Sequence, residues 1–162
     1  MTTVDELAAR MTRIETELAL HRLASDYCVG ADQQDPGCWD SVWTTDAVWM
    51  TSEEEEHTHR GIDAIRAAVR RQWETFRVMQ HSTANHVLTL FGDDDASGRC
   101  DVIVMVQLRD RRWIVGGGAY EDTYRRTANG WRIAVRRVVR PFDLAPLDPS
   151  ARPVGTSGPE AG

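Results

Sequence analysis

Lysine is missing from this sequence altogether: all 19 basic residues are arginine, set against 25 acidic ones, for a net charge of −6. We read the missing lysine as a bias of composition. The acidic balance weighs against nucleic acid as the main partner, because binding a phosphate backbone calls for excess positive charge. Cysteine is scarce as well. Cys28, Cys38 and Cys100 are odd in number and lack CxxC spacing, which fits three reduced thiols in a cytoplasmic protein better than a disulfide framework. No apolar run is long enough to span a bilayer, so no membrane partner is expected. The opening Met1-Thr-Thr-Val-Asp-Glu has neither the basic nor the apolar region of a signal peptide. Proline is almost absent before residue 141, with Pro36 the single exception. A Gly-rich phosphate loop and a convincing metal cluster are also lacking, so no cofactor is expected.

What is present is ordinary for a globular protein: 162 residues, 41% hydrophobic and 27% charged. A chain of this length is most simply one domain, able to bury roughly two-thirds of its extended surface around a core and a pocket. From Val4 to about Gln34, apolar residues recur as Leu7, Met11, Ile14 and Leu18, then Ala24, Tyr27 or Cys28, and Ala31. Steps of three and four mark one face of a long helix. Thr3 and Glu6 fit a capping box at its start, and Pro36-Gly37 stops it. Trp39, Val42 and Trp43 predict a short second helix, and Asp46 to Met50 a strand. The acid run Glu53 to Glu56 reads as a solvated turn. His57 and His59 share a strand face and so raise the question of a metal, but an exposed strand end is the simpler reading.

A helix with Ile62, Ile65, Val69 and Trp73 on one face begins at Gly61. Four long strands follow: about Arg77 to Phe91, Arg99 to Arg109, Trp113 to Thr127 and Trp131 to Val139. Ala128-Asn129-Gly130 is a hairpin signal between the last two. In the second of these strands Val102, Val104, Val106 and Leu108 lie on one side, and Ile103 and Met105 on the other. After Arg140 come five of the six prolines, with Gly and Ser. Residues 143–162 are therefore expected to form a largely disordered tail behind a domain of residues 1–142. Helices first, then antiparallel strands, is an α+β layout. A long twisted sheet with helices on one face curls into a cone whose open end is a pocket.

The polar candidates concentrate near the end of the first helix. Tyr27 and Asp32 are five positions apart, which leaves their side chains about 140° apart on a helix, flanking a cavity without stacking. A buried Asp needs a partner, and His81 is the best candidate. The alternatives are an Asp facing water at the helix end and a His that merely anchors a strand. Asn85 shares the strand face of His81 if alternation is unbroken, and His86 then falls on the opposite face. Trp49, Phe76, Met105 and Tyr120 are candidates for the lining of the cavity, while Asp122 and Trp131 read as architectural.

At this point the chain resembles the SnoaL-like branch of the nuclear-transport-factor-two-like superfamily, over about Leu7 to Phe142. The resemblance rests on an ordered set of local patterns. They are Tyr27-x4-Asp32-x2-Asp35, Trp43-Thr-Thr-Asp46-Ala47, Gly61-x2-Ala64-Ile65, His81-x3-Asn85, Gly118-x-Tyr120-x-Asp122 and Gly130-Trp131-Arg132-Ile133. It implies a cone-shaped α+β barrel, with N-terminal helices packed in a strongly curved, mostly antiparallel sheet around a central pocket. In dehydratase-like members an Asp late in the first helix pairs with a His opening the first long strand, positions that Asp32 and His81 match. Bile-acid dehydratases carry a Tyr five residues before that Asp, as Tyr27 stands here. The dehydrochlorinase-like pattern has a Lys nearby, which this chain lacks. The scytalone dehydratase pattern uses a second His on a later strand, and no His lies beyond His86.

The expected activity is that of a cofactor-independent lyase, a dehydratase acting on a hydroxylated, carbonyl-bearing apolar molecule of steroid, polyketide or aromatic type. Asp32, His81 and Tyr27 would carry it. An isomerase or polyketide cyclase using the same pair is the nearest alternative. A non-catalytic ligand-binding or dioxygenase small-subunit-like domain is the alternative of another class. Apolar strand faces and the resemblance together imply a homo-oligomer, a trimer more readily than a dimer.

Overall fold

The computed structural model describes residues 3–52 and 54–146, with side chains as far as Val139. Helix α1 runs from Val4 to Asp32 and α2 from Pro36 to Ser41. Strand β1 (Trp43–Met50), a 3-10 turn (Glu55–His57) and β2 (Thr58–Arg60) follow. Helix α3 (Ile62–Thr75) then leads into β3 (Phe76–Phe91), β4 (Asp95–Leu108), β5 (Trp113–Thr127) and β6 (Gly130–Pro146). The six strands form one sheet in the order β2-β1-β6-β5-β4-β3. Among the described residues only the β1–β6 pairing is parallel. The sheet is therefore mixed and mostly antiparallel, in an α+β fold, as the order of helical and alternating patterns predicts.

Local chemistry sets the boundaries. Thr3 and Glu6 close the capping box at the start of α1. Asp35 caps α2 by accepting from the Gly37 and Cys38 N–H groups, and Pro36 occupies the first turn, where its missing N–H is harmless. Gly30 lets the two helices meet. A Cβ there would lie 2.7 Å from the Trp39 nitrogen and 2.9 Å from its Cα, closer than any side chain tolerates. Trp39 is thereby pulled into a core of Leu20, Leu23, Tyr27, Trp43, Trp49, Ile65 and Val69.

The structure departs from the sequence reading in four places. The short second helix ends before Val42, so Trp43 opens β1 instead. Strand β6 continues to Pro146, paired to Ile114 of β5, past the expected domain edge at Phe142. The remainder of the expected tail, from residue 147, lies outside the described residues. The apolar stripe of α1 is two stripes, not one. Leu20, Leu23, Ala24, Tyr27 and Ala31 are buried, whereas Leu7, Met11, Ile14 and Leu18 are exposed. Leu18 and Leu20 are two positions apart, or about 200° of helix turn, so the stripes lie on opposite sides. Finally, the large apolar side chains of mid-β4 are well buried on one face only. Val102 and Val106 point to the core, and Ile103 and Met105 point out, at 54% and 38% exposure.

Candidate active site

The end of α1 meets the start of β3 through Asp32. Its carboxylate accepts two hydrogen bonds from one residue: from the His81 backbone N–H at 2.8 Å and, on the other oxygen, from ring Nδ1 at 2.5 Å. Both side chains are largely buried, at 8% exposure for His81 and 15% for Asp32. A carboxylate on Nδ1 fixes the neutral ring as the tautomer with its proton there, which leaves the Nε2 lone pair free. No hydrogen bond engages Nε2 among the described residues, and His81 lines a cavity of about 140 Å³.

The cavity walls are otherwise mainly apolar. Val102, Val104 and Val106 of β4 line it with Gly116 and Gly117 of β5, Val138 of β6, and Trp49, Phe76 and Met79, while Thr51 and Gln72 add polar groups. Tyr27 and Tyr120 supply phenols, with their rings 5.5 Å apart. The Tyr27 ring also stands edge-on to His81, 6.2 Å between centroids. Burial pushes the Tyr27 pKa up to about 12, against the pull of Arg136 and of a hydrogen bond with Tyr120. Burial likewise raises Tyr120 well above its ordinary value. Both phenols are thus hydrogen-bond donors throughout the neutral range. The Trp49 indole N–H is buried without a protein partner among the described residues.

Behind the phenols lies Arg136, a residue that sequence reasoning missed. Its guanidinium sits 4.0 Å from the Tyr27 ring centre and 4.1 Å from that of Tyr120. Its Nε and Nη2 donate to the two oxygens of Asp122 at 2.8 and 2.6 Å, with both side chains fully buried. Tyr124 donates to the same carboxylate at 2.7 Å and meets His86 Nε2 at 3.1 Å. The Asp122 charge offsets the burial penalty and holds the Arg136 pKa well above normal, so the cation is permanent. The available signal was alternation, which puts Arg136 on the same strand face as Ala134 and Val138; its pairing with Asp122 comes from a β5–β6 register that shifts between Thr123 and Tyr124.

The predicted residues therefore divide. Asp32, His81 and Tyr27 come together, and Trp49, Phe76 and Tyr120 line the same cavity. Asn85 does not. The β3–β4 register slips between Ala84 and Val87, and Asn85 takes a left-handed φ of 54°. Its amide is thereby turned to the half-buried Asp101, at 2.8 Å. The same bulge brings His86 to the helix side, against His21 and Tyr124, instead of the outer face. Met105 is excluded by alternation, since Val104 and Val106 already occupy the inward positions of β4. His57 and His59 do not converge either. His57 faces Glu54 and Glu56 at the surface, and His59 packs on Trp49.

The fold and this site define a mixed-sheet α+β cone with an apolar cavity, into which a carboxylate-held imidazole and two phenols project. Residues 12–137 match the SnoaL-like domain, and the chain belongs to that family, with the NTF2-like fold. A curated relative, hexachlorocyclohexane dehydrochlorinase 1 of Sphingobium indicum, is 26% identical over 126 residues, covering 76% of this chain and 80% of its own. Among solved structures, a protein of Novosphingobium aromaticivorans provisionally named an aromatic ring hydroxylase is 27% identical. It superposes with a TM-score of 0.76 over 83% of this chain and 94% of its own. Another from that organism, provisionally named a scytalone dehydratase, has a TM-score of 0.78 over 92% and 99% of the two chains. At 18% identity it shares the fold. Dehydrochlorinase and dehydratase are both names for lyases. Among the described residues no helix is long and apolar enough to cross a membrane.

Proposed function

We propose that this protein is a lyase that removes water from a small hydroxylated carbonyl compound by proton transfer through His81. The observation that carries this reading is the Asp32–His81 pair, with Nδ1 held and Nε2 unengaged at the edge of an apolar cavity. Nε2 takes a proton from the carbon beside the carbonyl. The Tyr27 hydroxyl donates to the carbonyl oxygen as the enolate forms. The imidazolium, paired with Asp32, then returns its proton to the hydroxyl on the next carbon. The C–O bond breaks, the double bond forms and water leaves. Protons balance within the one ring, so the step calls on no redox cofactor or metal.

Arg136 serves at one remove. Its fixed positive charge under both phenols lowers the cost of charge drawn onto them. The size of the cavity narrows the substrate class. A dry cavity of about 150 Å³ holds a single benzene ring, and this one measures about 140 Å³. A one-ring or short-chain polyketide or aromatic precursor fits. An isomerase would share the first proton transfer and differ only in returning the proton to carbon. Incubation of the protein with a panel of one-ring β-hydroxy ketones, acids and thioesters, followed by mass spectrometry, separates these. Loss of 18 mass units from at least one compound supports the dehydratase. A product of unchanged mass with a shifted double bond replaces it with the isomerase. Binding without turnover replaces both with a ligand-binding domain. On this proposal the protein works in the cytoplasm as a homo-oligomer.

A further inference from the structure

The first three turns of α1 stand clear of the body: every residue from Thr3 to Glu15 is exposed. This stretch and the turn after it still carry five large apolar side chains, Val4, Leu7, Met11, Ile14 and Leu18, exposed by 83, 53, 55, 56 and 63%. Their spacing is three, four, three, four, the a/d repeat of a coiled-coil seam. A solitary helix of this length is marginal in water, because its own hydrogen bonds barely offset the ordering of the chain. The seam ends where the body begins. The next d position is His21, whose ring contacts His86 of β3.

The flanking charges say what covers it. With Val4, Met11 and Leu18 at a, the g positions are Arg10 and Glu17, and the e positions are Ala8, Glu15 and Arg22. In a parallel pairing each g residue faces the e residue five positions on in the other helix. The contacts are then Arg10 with Glu15 and Glu17 with Arg22, both attractive. Arg10 and Glu15 make no hydrogen bond or ion pair within the described residues. The other two hold only exposed pairs along their own helix, Arg13–Glu17 and Arg22–Asp26, which are weak and easily exchanged.

We infer that α1 is an assembly element: its a/d seam packs in parallel on the same seam of a second copy of this chain, around a cyclic symmetry axis. The seam is only about two heptads long. It is nevertheless presented as a helix already anchored to a folded body, which lowers the ordering cost of association. This inference is independent of the chemistry proposed for His81.

The test is the mass of the full chain by light scattering across micromolar concentrations. The wild type is expected at a multiple of 18.3 kDa. Ile14→Glu, on an exposed side chain, should keep the cooperative unfolding of the body and run as a single chain, with some loss of helical signal as the first turns of α1 fray. Arg10→Glu should weaken association by roughly tenfold, as two repulsive contacts replace two attractive ones. Arg10→Glu with Glu15→Arg should restore it. Should Ile14→Glu fail to fold, Met11→Cys supplies the same information. It should give a disulfide-linked pair on oxidation, and Ala9→Cys, on the outward f position, should not. A monomeric wild type overturns the inference. So does wild-type mass in Ile14→Glu, which would place assembly on the outer sheet face at Ile103 and Met105. Failure of the charge exchange to restore association overturns the parallel register, and equal cross-linking of both cysteine variants overturns the seam.

Discussion

Replacing Arg136 by Met should destabilise the protein by about 3–5 kcal/mol, the usual cost of leaving one member of a buried ion pair without the other. The structure indicates the upper part of that range. Both side chains of the Asp122–Arg136 pair are fully buried, so no water would reach the orphaned carboxylate. Arg136→Met also removes the two stacked contacts on Tyr27 and Tyr120, each worth about 0.5–2 kcal/mol. For a chain of this size each kcal/mol moves the melting temperature by about 2–4 °C, so the midpoint should fall by at least ~6 °C. Urea denaturation read by tryptophan fluorescence would measure it. Asp122→Leu combined with Arg136→Met removes both charges, and Tyr124 keeps His86 as a partner at 3.1 Å. The double variant should regain much of the loss, because an apolar pair of similar volume often matches a buried ion pair. A single variant within 1 kcal/mol of wild type would refute the argument. A double variant as unstable as the sum of its parts would show that packing, not charge, governs the site.

Two further outcomes follow from the fold. Gly30→Ala puts a Cβ against the Trp39 backbone and should cost about 1–3 kcal/mol through overpacking; an unchanged melting temperature would mean that α1 and α2 do not meet as described. Stability should also fall on the alkaline side. Burial pushes Cys28 and Cys100 up to about 11 from an ordinary 9.0, so between those values the unfolded chain releases protons that the native chain retains. Stability is lost as pH rises through that window, and Tyr27, at about 12, extends the loss. Melting temperatures at pH 8 and 10.5 should differ by several degrees, and Cys28→Ala with Cys100→Ala should flatten the difference.

The order of elements and the Asp32–His81 pairing were legible because each rests on a local rule with few competitors. A helix stop, an Asp just before it and a His opening the first long strand leave little freedom of placement. What was not legible depended on register. One extra residue between Ala84 and Val87 moved Asn85 out and His86 in, and no residue type there announces a bulge except an Asn that tolerates positive φ. Arg136 was hidden by abundance. It is one of 19 arginines and sits beside the exposed Arg137, so its neighbours make it look like surface. The α1 stripe misled because steps of three and four run from Leu7 to Leu18 and again from Ala24 to Ala31, while the six-residue step from Leu18 to Ala24 breaks the phase. A stripe that changes sides marks a helix with two partners.

The central claim is that His81 moves the proton. Turnover of one substrate from the hydroxy-carbonyl panel by His81→Ala, beside Asp32→Asn and wild type, tests it most directly. The account predicts a folded His81→Ala protein with turnover reduced by about 10²–10⁴-fold. Asp32→Asn should be reduced by a similar order, and the double variant should be little worse than His81→Ala alone, since the two act as a unit. Wild-type turnover by folded His81→Ala would contradict the mechanism.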